Sequence, residues 1–277
     1  MSNLPYTGRL FYSLGLIAYG IQQIIIRDFR PQILPGFPGW VHEWAIFPVL
    51  SGVLMVSAGL LLTGWLNVRA IIRKRLFLYV GFYFFILLLF SHLPYLLFIY
   101  PHKLSHLGSW GDALKGLAFS GGAFIMAGSW SNEYYAFTSH DAFAVNLEKL
   151  IPLGRLFYCT TIILFGCNHF VYDISGMVPN WFGPRTFWSY FGGAALIGAG
   201  IAILLQIWLK PVSLLLAAML FLWFVLVHIP NAIANPYAGR GNAIVSAFDA
   251  LLFCGTALVL SQSNMPKSNL TAEKIRG

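Results

Sequence analysis

The sequence predicts an all-α, polytopic membrane protein: eight transmembrane helices forming two pseudo-two-fold-related four-helix repeats. Three observations carry this. Charged residues are 9% of the chain and hydrophobic ones 58%, with a mean hydropathy of +0.73, whereas an ordinary soluble domain is roughly a quarter charged. Apolar runs near the ~20 residues needed to cross a hydrocarbon core recur along the whole length. Finally, the pentapeptide Gly-Arg-Leu-Phe-Tyr occurs twice, at 8–12 and at 154–158, each time opening an apolar run with a further glycine, Gly20 or Gly166, at the same offset.

In order, the predicted spans are 9–27, 44–65, 76–100, 112–130, 153–172, 187–209, 212–229 and 242–261. Four fall in each half. An even number of spans leaves the second copy in the orientation of the first, so the repeats should be parallel, related by an axis along the membrane normal. The first spans of both halves lead into acid-containing, Pro/Gly/Trp-rich connections, Asp28 to Trp40 and Asp173 to Pro184. The second spans match through Gly52 and Gly59 against Gly193 and Gly200. Small residues at such spacings let neighbouring backbones approach closely.

The expected organisation is a first repeat at 1–130, a cytoplasmic linker at 131–152, a second repeat at 153–261 and a polar tail at 262–277. Of the 17 Lys and Arg residues, eleven fall on the side of the termini, the 66–75 loop, the linker and Lys210, and six on the other. That imbalance puts both termini in the cytoplasm of a bacterial inner membrane. Met1 to Thr7 lacks a basic cluster, and the first apolar run reads as a retained helix rather than a removed signal peptide. The net charge of +8 is scattered over short loops, so the partner it implies is the lipid bilayer and not nucleic acid. Cys159, Cys167 and Cys254 lie inside apolar runs and form no CxxC pair, so they read as small packing residues.

Six of the seven histidines fall in the outer loops or outer halves of spans; His140 is the exception. His92-Leu93-Pro94 near the end of the third span is repeated by His228-Ile229-Pro230 at the end of the seventh. A proline two residues after each histidine disturbs the helix and frees backbone carbonyls nearby. Superposing the pentapeptides places Gln22-Gln23 on Asn168-His169, and laying Gly121 on Gly255 places Lys115 on Asp249, with opposite charge. Asp249 is the most demanding residue, about 10 Å along its helix from the mouth, where a carboxylate costs several kcal/mol unless paired, hydrated or protonated. Lys115 lies closer to its helix end and has the option of snorkelling to the headgroups.

His92, His228, His169, Gln23, Lys115 and Asp249 are therefore the candidate ligand-binding residues, expected to converge on an outward-facing polar cavity between the two repeats. The bland alternatives are histidines bonded to nearby backbone, amides bridging helices, and a Lys115–Asp249 ion pair locking the fourth span against the eighth. A quinone or haem slot would need the aromatics present here, but they do not select it. The chain contains no Walker loop, dinucleotide fingerprint, HExxH or serine elbow.

The basic-aromatic opening, the internal glycine of the first span, and the fourth span reading Ala113-Leu114-Lys115-Gly116-Leu117-Ala118 before Gly121-Gly122 resemble the DoxX-like four-helix membrane family. The resemblance covers 8–130 and, more loosely, 154–261; Asp249 stands where the second copy would repeat the lysine. It implies a tandem DoxX-like membrane subunit of a redox or quinone-linked system, with a membrane or periplasmic protein partner. The alternatives are a non-enzymatic docking or assembly subunit and a small-solute transporter, the last weakened because the polar residues gather toward the outer face.

Overall fold

The computed structural model describes residues 3–130 and 141–263, and all regular structure among them is helical. The long helices are α1 (Leu4–Ile26), α2 (Ile46–Leu62), α3 (Ala70–Leu87), α4 (Gly111–Gly128), α5 (Leu153–Val171), α6 (Arg185–Leu204), α7 (Leu209–Trp223) and α8 (Asn242–Leu260). Beyond Leu87 the third helix winds on to Ile99, and beyond Trp223 the seventh winds on to Ala234. Residues 131–140 of the linker, with His140, and residues 264–277 of the tail lie outside the described residues.

Among the described residues, five helical stretches are long and apolar enough to cross a membrane: Leu4–Ile26, Ala70–Ile99, Arg185–Leu204, Leu209–Ala234 and Ala238–Leu260. A sixth is counted if Ala142–Glu148 and Leu153–Val171, bent by 48°, form one span. The remaining two predicted spans are helical but differ from the other six. Ile46–Leu62 has 17 residues. Gly111–Gly128 carries Asp112 and Lys115 in its first turns and is buried over most of its length, so it has little need of an apolar outer face.

The packing explains where apolar surface is spent. Helices α4 and α8 touch each other at the centre, α1 packs on α2 and α8, and α5 packs on α6 and α4. Within 238–260, 78% of the most apolar window is buried, against 22% within 209–234; the first segment is core and the second faces outward.

Closest approaches occur where side chains are missing. A Cβ on Gly20 would stand 2.6 Å from the Gly52 carbonyl oxygen, and one on Gly166 2.7 Å from that of Gly193. At the crossing of α1 with α8, a Cβ on Gly8 would stand 2.5 Å from the Gly255 oxygen; at that of α5 with α4, one on Gly154 would stand 2.8 Å from the Gly121 oxygen. Tyrosines one turn further on reach past these crossings to the other central helix: Tyr12 Oη of α1 donates to the Phe119 carbonyl of α4 at 2.5 Å and Tyr158 Oη of α5 to the Phe253 carbonyl of α8 at 2.8 Å.

The two His-x-Pro turns have a common backbone form. Pro94 and Pro230 have no N–H to continue the ladder, and the register widens by one residue beside them: Leu93 N–H donates to Leu88 O, and Ile229 N–H to Phe224 O. The described part of the linker packs on the first half. Helix Ala142–Glu148 packs on α3 through Phe143, whose ring lies 5.8 Å from Tyr79 and 5.6 Å from Phe82, and ion pairs Lys74–Glu148 and Arg75–Asp141 hold it there.

Candidate functional site

A cavity of about 970 Å³ opens among α5, α6, α7 and α8. It is neither where the sequence predicts nor as polar. The cavity lies largely inside the second half, where the 173–184 connection also lines it through Ile174, Val178 and Phe182, and among the described residues the first half contributes Gly111 and Lys115. Between the halves, α4 and α8 pack directly against each other.

Its polar corner is built from three helices. Lys115 Nζ of α4 lies 2.8 Å from Asp249 Oδ2 of α8, and Tyr19 Oη of α1 donates to Asp249 Oδ1 at 2.6 Å. Both carboxylate oxygens are thereby answered, which a side chain only 6% exposed requires. Lys115 turns inward to this pair rather than outward to the headgroups. His228 lines the same cavity, as do Asn168 and His169. His169 stacks on Trp223 with ring centroids 5.9 Å apart, and its Nδ1 lies 3.4 Å from Ser189 Oγ. The other walls are apolar, including Phe165, Leu196, Met219 and Phe253, and between α6 and α7 the lining reaches the exposed side chains Leu215 and Leu222. Pockets with an apolar body and a few convergent polar groups are the usual form of a small-molecule site.

Two predicted site residues stand elsewhere. His92 is 3% exposed, does not line the cavity, and faces the main chain at Gln32 and Ile33. It lies beside Gly116, with the main chain at Gln32. Gln23 donates to Ser51 Oγ at 3.1 Å and to Met55 Sδ at 3.6 Å, and Ser51 in turn lies 3.1 Å from Tyr83 Oη. These residues and the buried segment Gln32–Pro35 fill the interior of the first half. His92 and His228 therefore do not line one cavity. No group of three or more His, Cys, Asp or Glu among the described residues is placed to hold a metal ion.

Above α1, at the end of the molecule away from the chain termini, the 28–43 connection is tied to the start of α8. Asp28 accepts from Arg240 Nη1 at 2.8 Å and faces His42 Nδ1 at 3.0 Å. Arg30 donates to the Arg240 carbonyl at 2.9 Å and to Asn242 Oδ1 at 3.1 Å. Burial pushes the Asp28 carboxyl upward in pKa, but the hydrogen bonds from Arg240, His42 and the Phe29 N–H outweigh it and hold the group below its ordinary 3.8.

Sequence reasoning missed Tyr19, Trp223, Ser189 and Gly192. A signal existed for the first: Tyr19 and Tyr12 are phenols in an apolar helix, and a buried phenol needs a partner. Gly192 leaves the space into which Trp223 turns; a Cβ there would stand 2.7 Å from that ring.

No family model, no curated protein and no solved structure matches this chain.

Proposed function

We propose that this chain is a tandem DoxX-like integral membrane protein of eight spans, two four-helix repeats related by a pseudo-two-fold axis, serving as the membrane subunit of a redox or quinone-linked system. The repeat reading is supported by the recurring glycine crossings, the paired Tyr12 and Tyr158 hydrogen bonds and the twin His-x-Pro turns. On this reading α2 spans at the lower end of the ~17–25-residue range, and α4 spans shielded by its neighbours. Both termini are assigned to the cytoplasm of a bacterial inner membrane, so the Lys115–Asp249 corner of the cavity and the Asp28 cluster belong to the outer side.

One observation carries the ligand assignment: the Lys115–Asp249 pair, held from behind by Tyr19, stands with His228 at the wall of a large, mostly apolar cavity that reaches exposed side chains of α7. An amphipathic, lipid-soluble molecule fits that division, its head among the ionisable groups and its body among Phe165, Leu196 and Phe253. The direct test is extraction: protein purified gently from membranes and analysed by mass spectrometry is expected to carry about one quinone per chain. Protein that carries none, and that neither gains nor loses thermal stability when quinone is added, overturns the reading.

A second reading, a docking or assembly subunit, draws on the exposed aromatics of the outer loops, where Trp40 is 57%, Trp44 64% and Trp181 68% exposed. A stoichiometric protein partner that co-purifies without quinone, and is lost on Trp181→Ala, would favour it.

A further inference from the structure

Two places in the halves correspond, one filled and one open. Laying Gly121 on Gly255 matches Gly116 with Ala250, and the His-x-Pro turns match His92 with His228. In the first half the space at Gly116 and His92 is taken by main chain: a Cβ on Gly116 would lie 3.6 Å from the Gln32 carbonyl oxygen and 3.7 Å from His92 Nε2. Gln32 is 4% and Ile33 0% exposed. The segment is anchored on the second half, where Asn242 Oδ1 accepts from Arg30 at 3.1 Å and from Gln32 at 3.3 Å. In the second half, Ala250 and His228 instead face the cavity. None of residues 173–184, the connection matching the one that dips into the first half, is buried; Ile174, Val178 and Phe182 line the cavity without filling it.

We propose that the ligand of the cavity stands where the Gln32–Ile33 main chain stands in the first half, as a neutral, lipid-soluble molecule whose carbonyl oxygen accepts a hydrogen bond from His228. The first half is a self-filled copy of the site, and its plug is the template: a carbonyl beside the histidine, with an aliphatic body, Ile33, behind it. A neutral head follows from the charges, since Lys115 is already answered by Asp249 and an anion would meet that carboxylate. The apolar tail leaves between α6 and α7, past Leu215 and Leu222. The chain binds one such molecule, not two. This deepens the quinone-linked reading and rests on it, a quinone ring being a carbonyl acceptor on a lipid tail.

The test is calorimetric titration of the full chain in nanodiscs with decylubiquinone and with decylbenzene, which keeps the tail and has no carbonyl. We expect one decylubiquinone per chain, with decylbenzene at least tenfold weaker. His228→Ala should weaken decylubiquinone roughly tenfold, the loss of about one hydrogen bond, leave decylbenzene unchanged, and contrast with His92→Ala, which should stay within twofold of wild type. Ala250→Leu should abolish binding of both. Equal affinity of the two compounds for the wild-type chain overturns the carbonyl assignment while leaving a ligand cavity in place; two decylubiquinones per chain overturns the self-filled first half. Failure of both compounds to bind overturns this inference together with the quinone-linked reading.

Discussion

Lys115 and Asp249, 134 residues apart in the chain, meet at 2.8 Å between the two central helices. Asp249 holds Tyr19 with its other oxygen, so three helices converge on one carboxylate. Removing one partner of such a pair strands a buried charge, whereas removing both does not.

Asp249→Ala is therefore expected to lower the stability of the detergent-solubilised protein by about 3 kcal/mol, and Lys115→Met with Asp249→Leu to recover more than half of that. Tyr19→Phe, which removes one hydrogen bond to a charged group, should cost about 1–2 kcal/mol. Denaturant unfolding of the four proteins checks this; a double variant as unstable as Asp249→Ala would contradict it.

The crossing of α1 and α2 admits no side chain at Gly20, where a Cβ would meet the Gly52 carbonyl at 2.6 Å. Gly20→Val should force the helices apart and cost at least about 2 kcal/mol. Gly198 has nothing within 4 Å of a Cβ, and Gly198→Ala should be neutral or slightly stabilising, since alanine is the better helix former.

The outer cluster should respond to acid. Asp28 titrates below its ordinary 3.8 when folded, so it binds protons more weakly in the folded than in the unfolded chain. Its contribution is fully present above 3.8 and is lost as pH falls through the depressed folded value. Hydrogen exchange of residues 28–43 should quicken in that window. In Asp28→Asn the exchange should be fast already at neutral pH and show no acid step.

The two repeated histidines should separate in a stability assay. His92 is buried against the Gln32 main chain, and His92→Ala leaves a void costing about 2 kcal/mol. His228 already borders a cavity, so His228→Ala should cost under about 1 kcal/mol. Thermal shifts of the two variants measured side by side decide it.

Much of this molecule is legible in its sequence. The all-helical membrane-type architecture follows from hydropathy and the scarcity of charge. The register that brings Lys115 to Asp249 is written in the match of Gly121 with Gly255. What cannot be read is which half keeps its interior empty. That depends on single differences whose effect exists only in three dimensions: Ser51, bonded to Gln23 and Tyr83, against Gly192, into whose space Trp223 turns. It also depends on a connection that folds inward and is buried at Gln32–Pro35 in one half and only lines the cavity, unburied, in the other. Hydropathy does not separate the two connections, because inward folding is decided by the anchor at Asn242, more than 200 residues downstream.

The opening helix of each half is clasped to the closing helix of the other, Gly8 against Gly255 and Gly154 against Gly121. Neither quartet is thus a finished building block: α1 without α8, or α5 without α4, would bare a glycine-lined face cut to fit a missing neighbour. Two polypeptides severed within residues 131–140 and made together in one cell should find each other and rebuild the intact molecule, while either fragment made alone should be taken by quality-control proteolysis.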